Sequence, residues 1–243
     1  MIILVRHGQT TSNASRLLVG RSDPELTELG ERQARALTPF LDGAVEVWTS
    51  PLRRARVTAA LALPHLGATV NDAFIEVDYG NLEGQSLSNV TVAQWRTFET
   101  DHSTRIGDGE SLESVDARVH AELDLLMADS QSLLHDPRRH LVITTHLSPI
   151  KSAMAWALGA PGSVAWRTRL DNGSITTIAT RRDAPMLVNF NVVPVLEGLA
   201  QRDRQSGEMQ SGTDQGADVE EFVIAEDVRD EARSPGPVGN GAE

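Results

Sequence analysis

Two histidines and a cluster of arginines are the side chains whose placement could do chemistry. His7 follows the apolar run Ile2-Ile3-Leu4-Val5, and His146 follows Leu141-Val142-Ile143-Thr144-Thr145. Continuous apolar runs of this length are expected of strands covered on both faces. In an open α/β sheet, ligands bind in the crevice beyond the carboxyl ends of the strands. If the two runs are neighbouring strands, both imidazoles point into one crevice. Downstream, Ser50-Pro51 reads as a helix N-cap followed by proline at the first helical position. That helix carries Arg53, Arg54 and Arg56 in its first two turns. Cations at the positive end of a helix are misplaced by about 0.3–1 kcal/mol each. Free amides plus guanidinium groups at one N-terminus nevertheless make a good anion site. At least one of the three arginines is expected to face solvent. His65, His102, His120, His135 and His140 have no comparable placement and read as structural or surface residues.

Positioning these groups requires alternating strands and helices. Thr27 can cap a helix through Leu29, Ala34 and Leu37, with Pro39 ending it. Val45-Glu46-Val47-Trp48-Thr49 alternates like a strand. Leu112, Val115, Val119, Leu123 and Leu126 recur at spacings of three and four, the mark of a long amphipathic helix. Ile150, Ala153, Met154, Ala157 and Leu158 form another helical stripe, closed by Gly159 and Pro161. Residues 174–179 and 187–191 read as strands joined by a turn. The alternation predicts an α/β fold, a three-layer α/β/α sandwich with a mostly parallel central sheet.

Composition narrows the function classes. The chain has 34 acidic against 22 basic residues, a formal charge of −12, so nothing draws it globally to nucleic acid or an anionic membrane. Cysteine is absent, which excludes disulfides, zinc–thiolate sites and a cysteine nucleophile. Lys151 is the only lysine, so an anion site here must be built mainly from planar guanidinium forks. Aromatics make up only 4%, leaving aliphatic side chains to fill the core. The five apolar residues before Arg6 are too few for a signal peptide or membrane span, and a cytoplasmic protein is expected. Composition shifts near residue 200: the segment 201–243 holds 11 acidic and 4 basic residues and ends in a Gly/Pro-containing stretch. Residues 1–200 therefore read as one domain and residues 201–243 as an acidic, disordered tail.

Five sequence blocks carry a family resemblance. Leu4-Val5-Arg6-His7-Gly8-Gln9-Thr10 with Asn13, Asp23-Pro24-Glu25-Leu26-Thr27, Thr49-Ser50-Pro51-Leu52-Arg53-Arg54-Ala55, Glu76-Val77-Asp78-Tyr79-Gly80 with Glu83-Gly84, and Thr144-Thr145-His146 follow one another in a familiar order. Gly109-Glu110-Ser111 falls between the last two. Together they resemble the histidine phosphatase superfamily, the phosphoglycerate mutase-like proteins. The resemblance implies that His7 is the nucleophile and becomes a phosphohistidine. Arg6 and Arg54 would clamp the phosphoryl oxygens, with Asn13 and His146 completing the pocket. Glu76 would give a proton to the leaving oxygen and later take one from water. Gly8, Gln9 and Thr10 are expected to shape or line the phosphate loop, with Gly8 allowing a tight turn. Gly20, Arg21 and Ser22 are expected to contact substrate, and the Leu147 N–H to face the phosphate. Glu83 is expected to be mainly structural. No metal and no cofactor is implied, since phosphoryl transfer asks the protein chiefly for positioning and charge compensation.

Most members have glycine or another small residue after the second histidine, whereas Leu147-Ser148-Pro149-Ile150-Lys151 stands here. This form resembles the phosphatase half of certain bacterial proteins fused to a ribonuclease H domain, and no such partner domain is expected within these 243 residues. The substrate expected is a small phosphorylated metabolite, with neither nucleic acid nor membrane as partner; the oligomeric state is open, a homodimer included. Three functions compete: a metal-independent phosphomonoesterase, a cofactor-dependent phosphoglycerate mutase, and a binding protein with a dead site. Mutases of the family carry a long insertion between the Glu-Gly pair and Gly-Glu-Ser; here Gly84 and Gly109 are only 25 positions apart. A shorter cover admits water to the phosphohistidine, which favours hydrolysis. Specificity is expected from Arg21, Ser22 and the segment 85–108, where Trp95, Arg96, Phe98 and Arg105 either contact the leaving group or serve as cover packing and solvated charge.

Overall fold

A six-stranded sheet in the order β3-β2-β4-β1-β5-β6 organises the chain. The computed structural model describes residues 1–128, 138–182 and 184–196. His135 and the acidic segment 201–243 lie outside them. The strands are β1 (Ile2–Arg6), β2 (Ala44–Thr49), β3 (Ala68–Val70), β4 (His140–Thr145), β5 (Ile175–Arg181) and β6 (Ala184–Val192). The helices are α1 (Thr11–Ala14), α2 (Glu28–Ala36), α3 (Arg53–Ala62), α4 (Val92–Thr100), α5 (Leu112–Ala128) and α6 (Leu147–Leu158). β1, β2, β3 and β4 are mutually parallel where they pair, while β5 runs antiparallel to both β1 and β6.

The period-2 alternation of a strand sends successive side chains to opposite faces, and β1 shows the consequence. Ile2 and Leu4 enter one core with Leu141 and Ile143 of β4, covered by Val115, Val119 and Leu123 of α5 and by Ile150, Ala153 and Ala157 of α6. Ile3 and Val5 enter the opposite core with Val47 and Val142, covered by Leu37 at the end of α2 and by Ala59 and Ala62 of α3. Both faces are thus apolar and covered, giving the three-layer sandwich. No described helix is long and apolar enough to cross a membrane.

Parallel pairing of β1 with β4 settles the condition on which the shared crevice depended. Arg6 stands opposite Thr145 in the register, and the His7 N–H donates to the Thr145 carbonyl at 3.0 Å. Both histidines therefore leave the carboxyl ends of adjacent central strands.

Two elements had no clear sequence signal. β3 has three exposed residues, too few for a periodicity. α4 begins at a capping box in which Thr91 and Gln94 satisfy each other's backbone N–H groups, inside the segment read as a specificity loop. Its aromatic residues serve packing. Phe98 is fully buried and meets Tyr79, Trp95 and Trp166 at ring separations of 6.1–6.2 Å. Phe98 is therefore core, not a substrate contact.

Candidate active site

The site is built where two helix N-termini face the ends of β1 and β4. Neither helix is capped by its own sequence. The N-cap of α3 is Leu52, which offers no side-chain hydrogen bond, and α3 has no acidic residue in its first turn. Asp23 supplies both from a distance: its carboxylate accepts from the N–H groups of Arg53 at 2.6 Å and Arg54 at 3.3 Å. This answers the electrostatic conflict of arginines at a positive helix end. The N-cap of α6 is His146, again with no side-chain cap. Here Glu76 serves, accepting from Leu147 N–H through Oε2 at 3.1 Å and from Ser148 N–H through Oε1 at 3.2 Å. Val77 N–H gives Oε1 a second bond at 2.8 Å. Hydrogen bonds to a charged acceptor contribute about 1.5–3 kcal/mol each, so Glu76 is firmly seated at 5% exposure.

The helix starts differ from the sequence reading in a way that matters. α3 begins at Arg53 rather than Pro51, and Ser50 does not cap it. The Ser50 Oγ accepts from the N–H of Leu52, the residue before α3, at 3.3 Å and lies 2.7 Å from His146 Nε2. The other nitrogen of His146, Nδ1, accepts from Arg54 Nε at 3.2 Å. An acceptor at Nδ1 places the proton on Nε2, so His146 donates to Ser50. His7 has the complementary tautomer. Its Nδ1 is 2.7 Å from the Gly8 carbonyl, which can only accept, so Nδ1 carries the proton and Nε2 bears the lone pair. That lone pair faces Arg54 Nε at 3.3 Å. The two rings stand edge to face with centroids 5.1 Å apart.

Arg54 is the hub. It is 1% exposed, and a buried guanidinium needs every donor satisfied. Nη1 donates to the Ser22 carbonyl and Nη2 to the Gly20 carbonyl, each at 2.6 Å, while Asp23 approaches Nη1 at 3.8 Å. Gly20 and Ser22 thus enter the site through their carbonyls, as holders of Arg54. Burial lowers the Arg54 pKa, opposed by the nearby carboxylates of Glu76, Asp23 and Glu83. Arg6, also buried, is held through Nη1 by the Leu170 carbonyl.

Burial and adjacent guanidinium groups decide the protonation of both histidines. Burial first, then Arg54 and Arg6, hold the His7 imidazole well below the usual histidine range, against a weaker pull from the Gly8 carbonyl. Burial, then Arg54, His7, Arg6 and Arg118 act likewise on His146. Both rings are neutral at pH 7. A depressed folded-state pKa means the unfolded chain binds more protons just below its own value near 6.5. The stabilisation is fully present above that pH and is lost as pH falls toward the folded value. The melting temperature should therefore drop between pH 7.5 and 5.5, and less steeply in His7→Asn than in the native chain. Parallel pH profiles for the two proteins would contradict this electrostatic assignment.

Other residues fall differently from expectation. Gly8 is not among the positive-φ glycines; it is required because a Cβ there would lie 2.2 Å from the Gly30 carbonyl oxygen. The Gln9 side chain accepts from the Thr27 hydroxyl at 2.9 Å, bracing the start of α2. Thr10 is fully buried, and its hydroxyl caps α1 by accepting from Asn13 N–H. Asn13 Oδ1 accepts from the N–H and hydroxyl of Thr10, leaving its amide nitrogen as the donor end. The Leu147 N–H, expected to face phosphate, is bound to Glu76. Glu83 is a loop brace, bonded to the N–H groups of Arg21 and Ser22 and to the Ser22 hydroxyl. The loop before β5 was not foreseen: Asn172 Nδ2 donates to the His7 carbonyl at 3.2 Å and approaches Asn13 Oδ1 at 3.4 Å. An Asn-Gly pair reads only as a turn, and nothing local announces a partner more than 150 positions away. Among the described residues, no three His, Cys, Asp or Glu side chains gather as metal ligands.

A family model for the histidine phosphatase superfamily (branch 1) matches residues 2–193. The chain belongs to that superfamily. A bifunctional protein of Mycobacterium tuberculosis is 33% identical over 184 residues, covering 72% of this chain and 49% of that protein. The chain thus spans about half the length of the mycobacterial relatives it matches. A protein named probable phosphoglycerate mutase GpmB, from Yersinia pestis, is 32% identical over 79% of this chain and 90% of its own. Among solved structures, a mycobacterial glucosyl-3-phosphoglycerate phosphatase in complex with VO3 superposes with a TM-score of 0.71, at 26% identity over 79% of this chain and 98% of that one. The α-ribazole phosphatase of Shigella flexneri gives 0.67 at 25% identity over 79% and 96%.

Proposed function

We propose that this histidine phosphatase is a metal-independent phosphomonoesterase that hydrolyses a small phosphorylated metabolite through a phosphohistidine on His7. The observation that carries the reading is the tautomer of His7: Nδ1–H is committed to the Gly8 carbonyl, so the Nε2 lone pair is directed at the guanidinium-walled cup. A neutral imidazole fixed in that way is a competent nucleophile near pH 7.

The steps balance within this set of residues. His7 Nε2 attacks phosphorus as the bond to the ester oxygen breaks. Arg6 and Arg54 take up charge on the equatorial oxygens, and the Nε2–H tautomer of His146 is fixed by Ser50. Glu76 delivers a proton to the departing alkoxide from Oε2, which holds one backbone N–H, while Oε1 stays anchored by two. Water then attacks the phosphohistidine, gives its proton to Glu76, and frees phosphate.

Ser50 acts through His146. Replacing it by alanine leaves a buried ring N–H without an acceptor, at a cost of about 1–3 kcal/mol. Ser50→Ala should lower kcat/KM for phosphate release about tenfold or more. Unchanged kinetics would show that the hydroxyl does not orient the ring.

The GpmB-named relatives favour a second reading, phosphoglycerate mutase. A panel of p-nitrophenyl phosphate and metabolite phosphates separates the two. Release of inorganic phosphate supports the phosphatase; isomerisation of phosphoglycerate with little release supports the mutase; inertness would leave a binding protein.

A further inference from the structure

The rim of the cup carries a charge pattern that the chemistry of phosphate cleavage does not require. Arg21 lies between Gly20 and Ser22, whose carbonyls hold Arg54, so it stands at the mouth of the site. Its guanidinium is already engaged: Nη2 is 3.2 Å from Glu110 Oε2 and Nε is 4.0 Å from Asp78 Oδ2. Both carboxylates are fixed from behind. Asp78 Oδ1 accepts from Gly80 N–H at 2.7 Å, and Glu110 is gripped by Arg118 through Nε at 3.1 Å and Nη2 at 3.3 Å. Two cations and two anions cancel at the mouth, and Glu83 beneath Arg21 adds a further negative charge. Inside, the two guanidinium charges of Arg6 and Arg54 are met by a phosphate dianion. No positive charge in this set is left over for a second anion.

We infer that the preferred substrate carries its phosphate as its only anionic group, on a neutral, hydroxyl-bearing leaving group. Such a group can accept a hydrogen bond from Arg21 and donate to Asp78 or Glu110. A leaving group with a carboxylate must instead pull Arg21 from its partners or sit against like charges, which costs specificity. Arg21 and Asp78 are 41% and 39% exposed, so water and salt weaken the effect without reversing it.

The inference rests on the phosphatase reading of the same site, and matched esters separate the two. sn-Glycerol 1-phosphate and D-3-phosphoglycerate share one configuration and differ only in a hydroxymethyl group against a carboxylate; phosphoethanolamine and phosphoserine differ by one carboxylate. Phosphate release from p-nitrophenyl phosphate reports on the phosphatase reading alone. Within each pair, kcat/KM should favour the ester without the carboxylate by about tenfold. Asp78→Asn keeps the acceptor for Gly80 and frees charge on Arg21, and should shift both ratios toward the carboxylate ester by about threefold or more. If no ester is turned over, calorimetric affinities of the intact esters give the same ratios without chemistry. Carboxylate esters used or bound equally well, or ratios unmoved by Asp78→Asn, would overturn the inference.

Discussion

Replacing His7 with alanine should lower the rate of phosphate release by about four orders of magnitude or more, the scale seen when an enzyme loses its nucleophile. The expectation follows from geometry. Nε2 of His7 is the one buried lone pair that the Gly8 carbonyl holds ready, and His146 points its own protonated nitrogen away, into Ser50. The Nδ1 lone pair of His146 faces the same Arg54 Nε at 3.2 Å, so any residual turnover is checked for a phosphoryl group carried by His146. The fold should survive, because the backbone of His7 is held independently by Thr145, Asn172 and Gly173. A cooperative melt accompanied by more than about 1% residual turnover would argue against covalent catalysis at this residue.

Glu76→Gln should separate substrates by their need for a proton. General acid catalysis is worth about 10²–10⁴-fold, so hydrolysis of an alkyl phosphate should fall by that range. p-Nitrophenyl phosphate, whose leaving group departs without protonation, should fall less than about tenfold. The substitution also has a structural cost with its own signature. The carboxylate accepts three backbone N–H groups, and the amide nitrogen of glutamine is a donor that must face at least one of them. The melting temperature should drop in parallel. Equal losses on alkyl and aryl esters would mean that Glu76 only caps α6 and moves no proton.

The residues of the strand ends were legible in the sequence because their placement follows from local rules. Apolar runs predict covered strands, and a residue after such a run stands at the carboxyl end of the sheet. His7, His146 and the helix bearing Arg54 could be placed in this way. What could not be placed was the matching of distant groups. Asp23 capping α3 and Glu76 capping α6 repair helix starts that look uncapped from their own sequence. Ser50 looks like a local N-cap, and its Oγ does accept from Leu52 N–H at 3.3 Å, yet its shorter bond is to a ring 96 positions away. The Leu147 N–H was likewise assigned to phosphate because its engagement by Glu76 is a tertiary fact. At Gly8 the sequence suggests a tight turn, whereas close approach of the Gly30 carbonyl is what excludes a side chain there.

Arg21, Ser22 and Gln9 show the same limit. The resemblance implies substrate contact at Arg21 and Ser22 and a loop-lining role for Gln9, while each side chain also holds a protein partner that the sequence does not announce: Glu110, Glu83 and Thr27. A polar side chain beside a pocket is as readily a brace for the loop as a contact for the ligand. Only the count of donors and acceptors around it decides.

Rapid quenching during turnover of a ³²P-labelled ester tests the central claim most directly. The account predicts an acid-labile, alkali-stable label on the peptide bearing His7, formed and discharged at rates that sustain steady-state phosphate release. Steady release with no trapped label, or a label carried by His146 instead, would contradict it.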